Sequence, residues 1–178
     1  MKEKDQMLLA IDTATHMASL ALFDPSRGWI LGEESWYSVN RHTVELMPRL
    51  DRLLGQQSIT PAALTGLVVS LGPGSFTGLR IGVSVAKGLA LARQVPIAGI
   101  PTLDVVAQPH LTQPLPIWAI LQAGRGRICA AQYARRKGRW RRRGEYLGCR
   151  HFFGQPVPFV GMGRSNSSRN EPCAKHRL

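Results

Sequence analysis

Residues 70–93, SLGPGSFTGLRIGVSVAKGLALAR, constrain this chain more than any other stretch. An apolar run, Leu67 to Leu71, breaks into Gly72-Pro73-Gly74-Ser75 and then resumes as a helix-like segment. A strand, a glycine-rich turn and a helix start make a corner that favours an anion, because backbone N–H groups point outward there and the helix dipole adds to them. Ser75 or Thr77 can cap the helix through a side-chain oxygen. Gly78, Gly82, Ala86 and Ala90 then recur at every fourth residue, and Ser84, Gly88 and Ala92 form a second small row beside them. A glycine inside a helix costs about 1 kcal/mol relative to alanine, so two on one stripe point to close approach of another backbone. On pattern alone the turn reads first as tight internal packing. No Gly-Lys-Ser/Thr follows the glycines, and Lys87 lies too far along the helix for a Walker lysine.

The segments around this stretch alternate between strand and helix. Leu8–Thr13, Ala18–Phe23 and Trp29–Trp36 read as three strands joined by short turns, hence an antiparallel meander. Thr43–Leu54 reads as a helix with Leu46, Leu50, Leu53 and Leu54 on one face. Asn40 is its expected cap, Pro48 a helical start or kink, and Gly55 its stop. Val95–Ile100 is a short strand and Thr102–Ala107 starts another helix. A proline-rich linker, Gln108–Pro116, leads to two strands, Ile117–Leu121 and Ile128–Tyr133, expected to pair across residues 123–126. The domain reading is therefore 1–107 for the first lobe, 108–146 for the start of a truncated second, and 147–178 for a basic, patternless tail expected to be disordered or non-native.

Charge separates the same parts. Residues 125–178 hold fourteen Lys/Arg against two Asp/Glu, so the whole net charge of +12 sits in the last third. Seven of the nine residues Arg135–Arg143 are basic, with Tyr133, Trp140 and Tyr146 around them. That cluster reads either as a solvated hairpin tip that blunts strand pairing or as a surface for phosphates and bases. Beyond Tyr146 the sequence also fits a shifted or truncated reading.

No apolar stretch is long enough to span a bilayer, and a cytoplasmic location is expected. The three cysteines have no metal-ligand spacing and read as reduced thiols; the five histidines form no helical pair, so no metal site is expected. Asp12-Thr13-Ala14-Thr15 ends the first strand. Asp12, Thr13 and Thr15, with Gly72, Gly74, Ser75 and Thr77, make a weak phosphate-loop pattern whose plainer reading is a polar turn. No catalytic residue is expected.

Three blocks carry a resemblance: LLAIDTAT at 8–15, HTVELMP at 42–48 and SLGPGSFTGLRIG at 70–82. Together they resemble the TsaB (YeaZ) family, over roughly Met7 to Tyr146. The resemblance implies an α/β, actin/Hsp70-like (ribonuclease H-like) lobe with a mixed sheet and flanking helices, and an incomplete second lobe. It implies a non-catalytic partner in making threonylcarbamoyladenosine on tRNA. Such a partner pairs with the catalytic paralogue TsaD, is joined by a TsaE-like ATPase, and contacts tRNA indirectly. It has no intrinsic cofactor; ATP enters at the level of the complex. Pairing with TsaD, or with a second copy, runs through helices 42–54 and 77–93. The partner interface is therefore expected at His42, Leu46, Leu50, Gly78, Gly82, Ala86, Lys87 and Ala90. Gln122 stands where the family has an acid. The alternatives are an ATP-using phosphotransferase built on Asp12 and the Gly72–Gly78 loop, and an RNA-binding module driven by the basic tail.

Overall fold

A computed structural model describes residues 6–39, 41–123, 127–136, 139–148 and 159–161. The chain divides into two compact units, Met1–Val105 and Val106–Leu178.

The first unit is built on a five-stranded mixed sheet. Its strands are β1 (Met7–Asp12), β2 (Met17–Asp24), β3 (Trp29–Tyr37), β4 (Leu64–Ser70) and β5 (Ile97–Ile100), in the order β3-β2-β1-β4-β5. The meander expected for β1 to β3 forms, with Ala10 opposite Ala21 and Leu20 opposite Glu34. Strands β4 and β5 run parallel to β1 and therefore need crossovers. These are supplied by helices α1 (His42–Gln56) and α2 (Phe76–Arg93). Strand β1 is central, and its alternation buries Met7, Leu9 and Ile11. One core takes these residues together with Leu20, Leu22, Leu67, Val69, the four leucines of α1 and Ala86 of α2. Each fully buried leucine contributes about 1.5–3 kcal/mol relative to exposure.

Two helix boundaries differ from expectation. Helix α1 continues through Pro48, with one backbone bond missing, and runs two residues past Leu54. Gly55 lies inside the last turn. The left-handed residue is Ser58, at φ 54°, and the Ile59 N–H closes the helix on the Leu54 carbonyl at 2.9 Å. Arg41 stands at the N-cap without a side-chain cap bond; Asn40 lies outside the described residues.

Helix α1 is clamped to β3 by a polar layer. Arg49 and Arg52 both pair with Glu34, Arg49 lies 4.7 Å over the Trp36 ring, and the Trp36 indole N–H donates to Glu45 at 3.1 Å. The Ser38 hydroxyl does most to hold the Glu45 carboxyl below its ordinary value of 4.5, with Trp36, Arg41 and Arg49 adding to it against the effect of burial. In the turn after β2, the Ser26 hydroxyl likewise leads in lowering Asp24 below 3.8. A carboxyl depressed in the folded state stabilises the fold above its unfolded pKa, and that stabilisation is lost as pH falls through the lower folded value. The melting temperature is expected to drop on acidification below about pH 4.5. Glu45→Gln should show a lower melting temperature at neutral pH and a flatter acid limb, read by circular dichroism across a pH series.

The second unit carries a four-stranded antiparallel sheet in the order β6-β7-β8-β9: β6 (Ile117–Gln122), β7 (Ile128–Arg136), β8 (Arg139–Gly148) and β9 (Phe159–Gly161). The expected β6–β7 pair forms with Ala119 opposite Ala131. Strand β9 comes from the stretch read as a patternless tail. Residues 162–178 lie outside the described part of the chain.

Candidate functional site

The loop after β1 and the glycine loop after β4 meet directly. The Asp12 carboxylate accepts from the Ser70 hydroxyl at 2.7 Å and from the Ala14 N–H at 2.9 Å. The Ser75 N–H donates to the Ala14 carbonyl at 2.6 Å. A Cβ on Gly74 would stand 2.3 Å from that same carbonyl. Gly72 holds a positive φ of 107°, which favours glycine, and exchanges hydrogen bonds with buried Thr102. Ser75 caps α2, accepting from the Gly78 N–H at 3.2 Å. The two loops are thus tied to each other through the Ser75 N–H and the Ser70 hydroxyl. The donor that a phosphate oxygen would take at Ser75 is held by Ala14.

Thr13 is the wedge of this arrangement. It is fully buried, and its hydroxyl donates to the Gly78 carbonyl at 2.7 Å. Added Cβ atoms on Gly78 and Gly82 would stand 2.1 Å from the Thr13 carbonyl and 2.3 Å from its hydroxyl. His42 ties in the start of α1, with Nε2 3.2 Å from the Thr15 carbonyl and Nδ1 3.5 Å from the Ser38 hydroxyl. The Thr15 hydroxyl bonds within its own turn, to Met17.

Most residues of the expected partner interface lie inside the chain's own fold. Gly78, Gly82 and Ala86 are buried: the first two admit Thr13, and Ala86 packs in the core. Their face of α2 is covered by the chain itself, because β1 needs that close approach. His42, Leu46 and Leu50 are buried too, and Ala90 packs on the core. Lys87 alone of the eight is exposed. Thr77 is likewise not with the phosphate-loop residues. It is exposed and lines a different feature, a groove of about 370 Å³ between α1 and α2, with Thr43, Arg80, Ile81, Ser84 and Val85. The same two helices expose apolar side chains: Val44 and Met47 on α1, and Phe76 and Leu91, 74% and 82% exposed, on α2. The second small row, Ser84, Gly88 and Ala92, is the outward one, and a Cβ on Gly88 would meet nothing within 4 Å. Sequence reasoning named that row without assigning it a role. It did not foresee the contributions of Ser70 and Thr102, which no local pattern marks.

Among the described residues no helix is long and apolar enough to cross a membrane, and no cluster of three or more His, Cys, Asp or Glu is placed to hold a metal ion.

A mixed sheet in this strand order, with a hydroxyl-bearing loop after β1 and a glycine loop capping α2, defines the first unit as a lobe of the actin-like, ribonuclease H-like class. The family model described as TsaD, tRNA N6-adenosine threonylcarbamoyltransferase, matches residues 37–145. The chain is 34% identical over 131 residues to the tRNA threonylcarbamoyladenosine biosynthesis protein TsaB of Bacillus subtilis, covering 74% of this chain and 56% of that one. It is 32% identical over 130 residues to TsaB of Escherichia coli, covering 72% and 55%. The solved structure of YeaZ from Pseudomonas aeruginosa superposes with a TM-score of 0.69 at 24% identity, covering 93% of this chain and 72% of that one. The chain belongs to this threonylcarbamoyl-adenosine family, in its TsaB/YeaZ branch. It spans about half the length of the curated relatives it matches.

Proposed function

We propose that this chain is a non-catalytic binding subunit in the transfer of a threonylcarbamoyl group to the adenosine beside the anticodon of tRNA, acting in the cytoplasm. The observation that carries the reading is the family match over residues 37–145, joined by TsaB relatives from two bacteria. The partner is a TsaD-type catalytic paralogue. It docks on the groove between α1 and α2, the two helices that also expose Val44, Met47, Phe76 and Leu91. Exposed apolar side chains grouped on one face are what a protein partner covers. A TsaE-like ATPase joins the pair and supplies the ATP dependence, and a second copy of this chain competes for the same groove.

The phosphotransferase reading is weaker because the two loops that would hold phosphate hydrogen-bond each other. The deciding experiment mixes the full chain with the catalytic paralogue at micromolar concentration, follows the complex by analytical ultracentrifugation, and then measures threonylcarbamoyl incorporation into a tRNA transcript with the ATPase subunit present. A stable complex and incorporation that depends on this chain are expected. No complex, or ATP turnover by the isolated chain that Asp12→Ala abolishes, overturns the proposal.

A further inference from the structure

We infer that the groove between α1 and α2 receives a helix carrying two carboxylates seven residues apart, met by Arg80 and Lys87 of α2. The inference rests on the docking reading above and adds the chemistry of the partner. Helix α2 holds Arg80, Lys87 and Arg93 but no acid, and from Arg52 to Leu103 the chain has no Asp or Glu at all. Arg80 lines the groove beside the hydroxyls of Thr43, Thr77 and Ser84, and no carboxylate lines it. Arg80, Ser84 and Lys87 are all exposed. Their spacing of four and then three residues puts them on one outward stripe.

Arg80 and Lys87 stand apart from the other cations around them. The remaining arginines from Arg27 to Arg93 each have a partner: Asp24 for Arg27, Glu45 for Arg41, Glu34 for Arg49 and Arg52, and the Ala62 carbonyl for Arg93. Arg80 and Lys87 have no ion-pair partner among the described residues. Arg80 instead lies 5.3 Å over the ring of Phe76, one turn earlier. A guanidinium already held over a ring loses less freedom when a carboxylate arrives. Seven residues of helix advance about 10 Å, or two turns. A helix lying alongside α2 therefore meets both cations when its acids repeat at that same interval. A second copy of this chain fits less well: its α1 offers one exposed acid, Asp51, and it brings the same two cations with it.

The test titrates the full chain with two helical, apolar-faced peptides that differ only in carrying Glu or Gln at two positions seven residues apart. By calorimetry the Glu peptide should bind on the order of tenfold tighter at about 0.05 M salt, and the advantage should shrink at about 0.5 M, where charges are screened within a few ångströms. Arg80→Gln with Lys87→Gln should abolish that advantage. Arg80→Lys with Lys87→Arg should keep it, which separates charge from a folding defect. Equal affinity of the parent chain for the two peptides, binding of neither, or a Glu preference that survives in the Gln variant overturns the inference. Against the catalytic paralogue the Gln variant should associate about tenfold more slowly at low salt, and a parent-like rate overturns it too. Self-association of the parent chain that the Gln variant weakens would make a second copy the occupant, again overturning it. A parent chain that prefers the Glu peptide yet leaves the paralogue unbound refutes the partner reading while supporting the acidic-helix site.

Discussion

Gly78→Ala is expected to unfold the first unit at temperatures that the parent chain withstands, whereas Gly88→Ala raises its melting temperature. Both changes add one methyl group to the same helix, and alanine gains up to about 1 kcal/mol of helix propensity at either place. The difference is what the methyl meets. At Gly88 there is open space, so the propensity gain stands alone. At Gly78 the methyl would stand 2.1 Å from the Thr13 carbonyl, a backbone atom that no rotamer change can move. Relief requires shifting α2 away from β1, which also breaks the buried bond from the Thr13 hydroxyl to the Gly78 carbonyl. Overpacking of this kind costs about 1–3 kcal/mol or more, and loss of the hydrogen bond adds about 1 kcal/mol.

Gly82→Ala provides an internal control. Its methyl would meet the Thr13 hydroxyl, a side-chain atom, at 2.3 Å. Thr13→Ala should therefore partly rescue Gly82→Ala and leave Gly78→Ala unrescued. Urea unfolding of the two double-mutant cycles measures this directly. Equal stability of Gly78→Ala and Gly88→Ala would mean that the bare stripe does not face β1.

The contrast between the two glycines also marks how far the sequence could be read. The strand meander, the Ser75 cap and the β6–β7 pair were legible because each depends on residues close together in the chain. The small rows were legible as rows: a period of four shows that Gly78, Gly82 and Ala86 share a stripe. It does not show which stripe faces inward, because that is decided by Thr13, 65 residues earlier than Gly78. The resemblance pointed to the barest stripe as the pairing face, and in the fold its residues Gly78, Gly82 and Ala86 are buried against Thr13 and the core. Leu46 and Leu50 were legible as one face of α1, and the core claims them. Gly55 looked like a helix stop because glycine takes the left-handed conformation most easily; here Ser58 takes it. The bond between Asp12 and Ser70 joins two strand ends that only the parallel β1–β4 pairing brings together.

Ser84→Trp is expected to weaken the complex with the catalytic paralogue on the order of 100-fold while leaving the melting temperature of the isolated chain unchanged. Ser84 is exposed and lines the groove between α1 and α2, and surface substitutions of that kind alter stability by about 0.5 kcal/mol or less. An indole there fills the space that the proposed partner would enter. Interface positions that control docking are worth about 2 kcal/mol or more, and every 1.4 kcal/mol is tenfold in Kd. Gln56→Trp, at the far end of α1 and also exposed, should bind as the parent does. Isothermal titration of the three chains against the paralogue, with melting curves on the same samples, separates the two effects. Gly78→Ala also loses the complex, but its melting curve reveals the unfolding that causes the loss. Only a folded Ser84→Trp chain that fails to bind places the partner on the outward row of α2. Parent-like affinity for that variant would move the partner off this groove and onto a surface that carries neither small row.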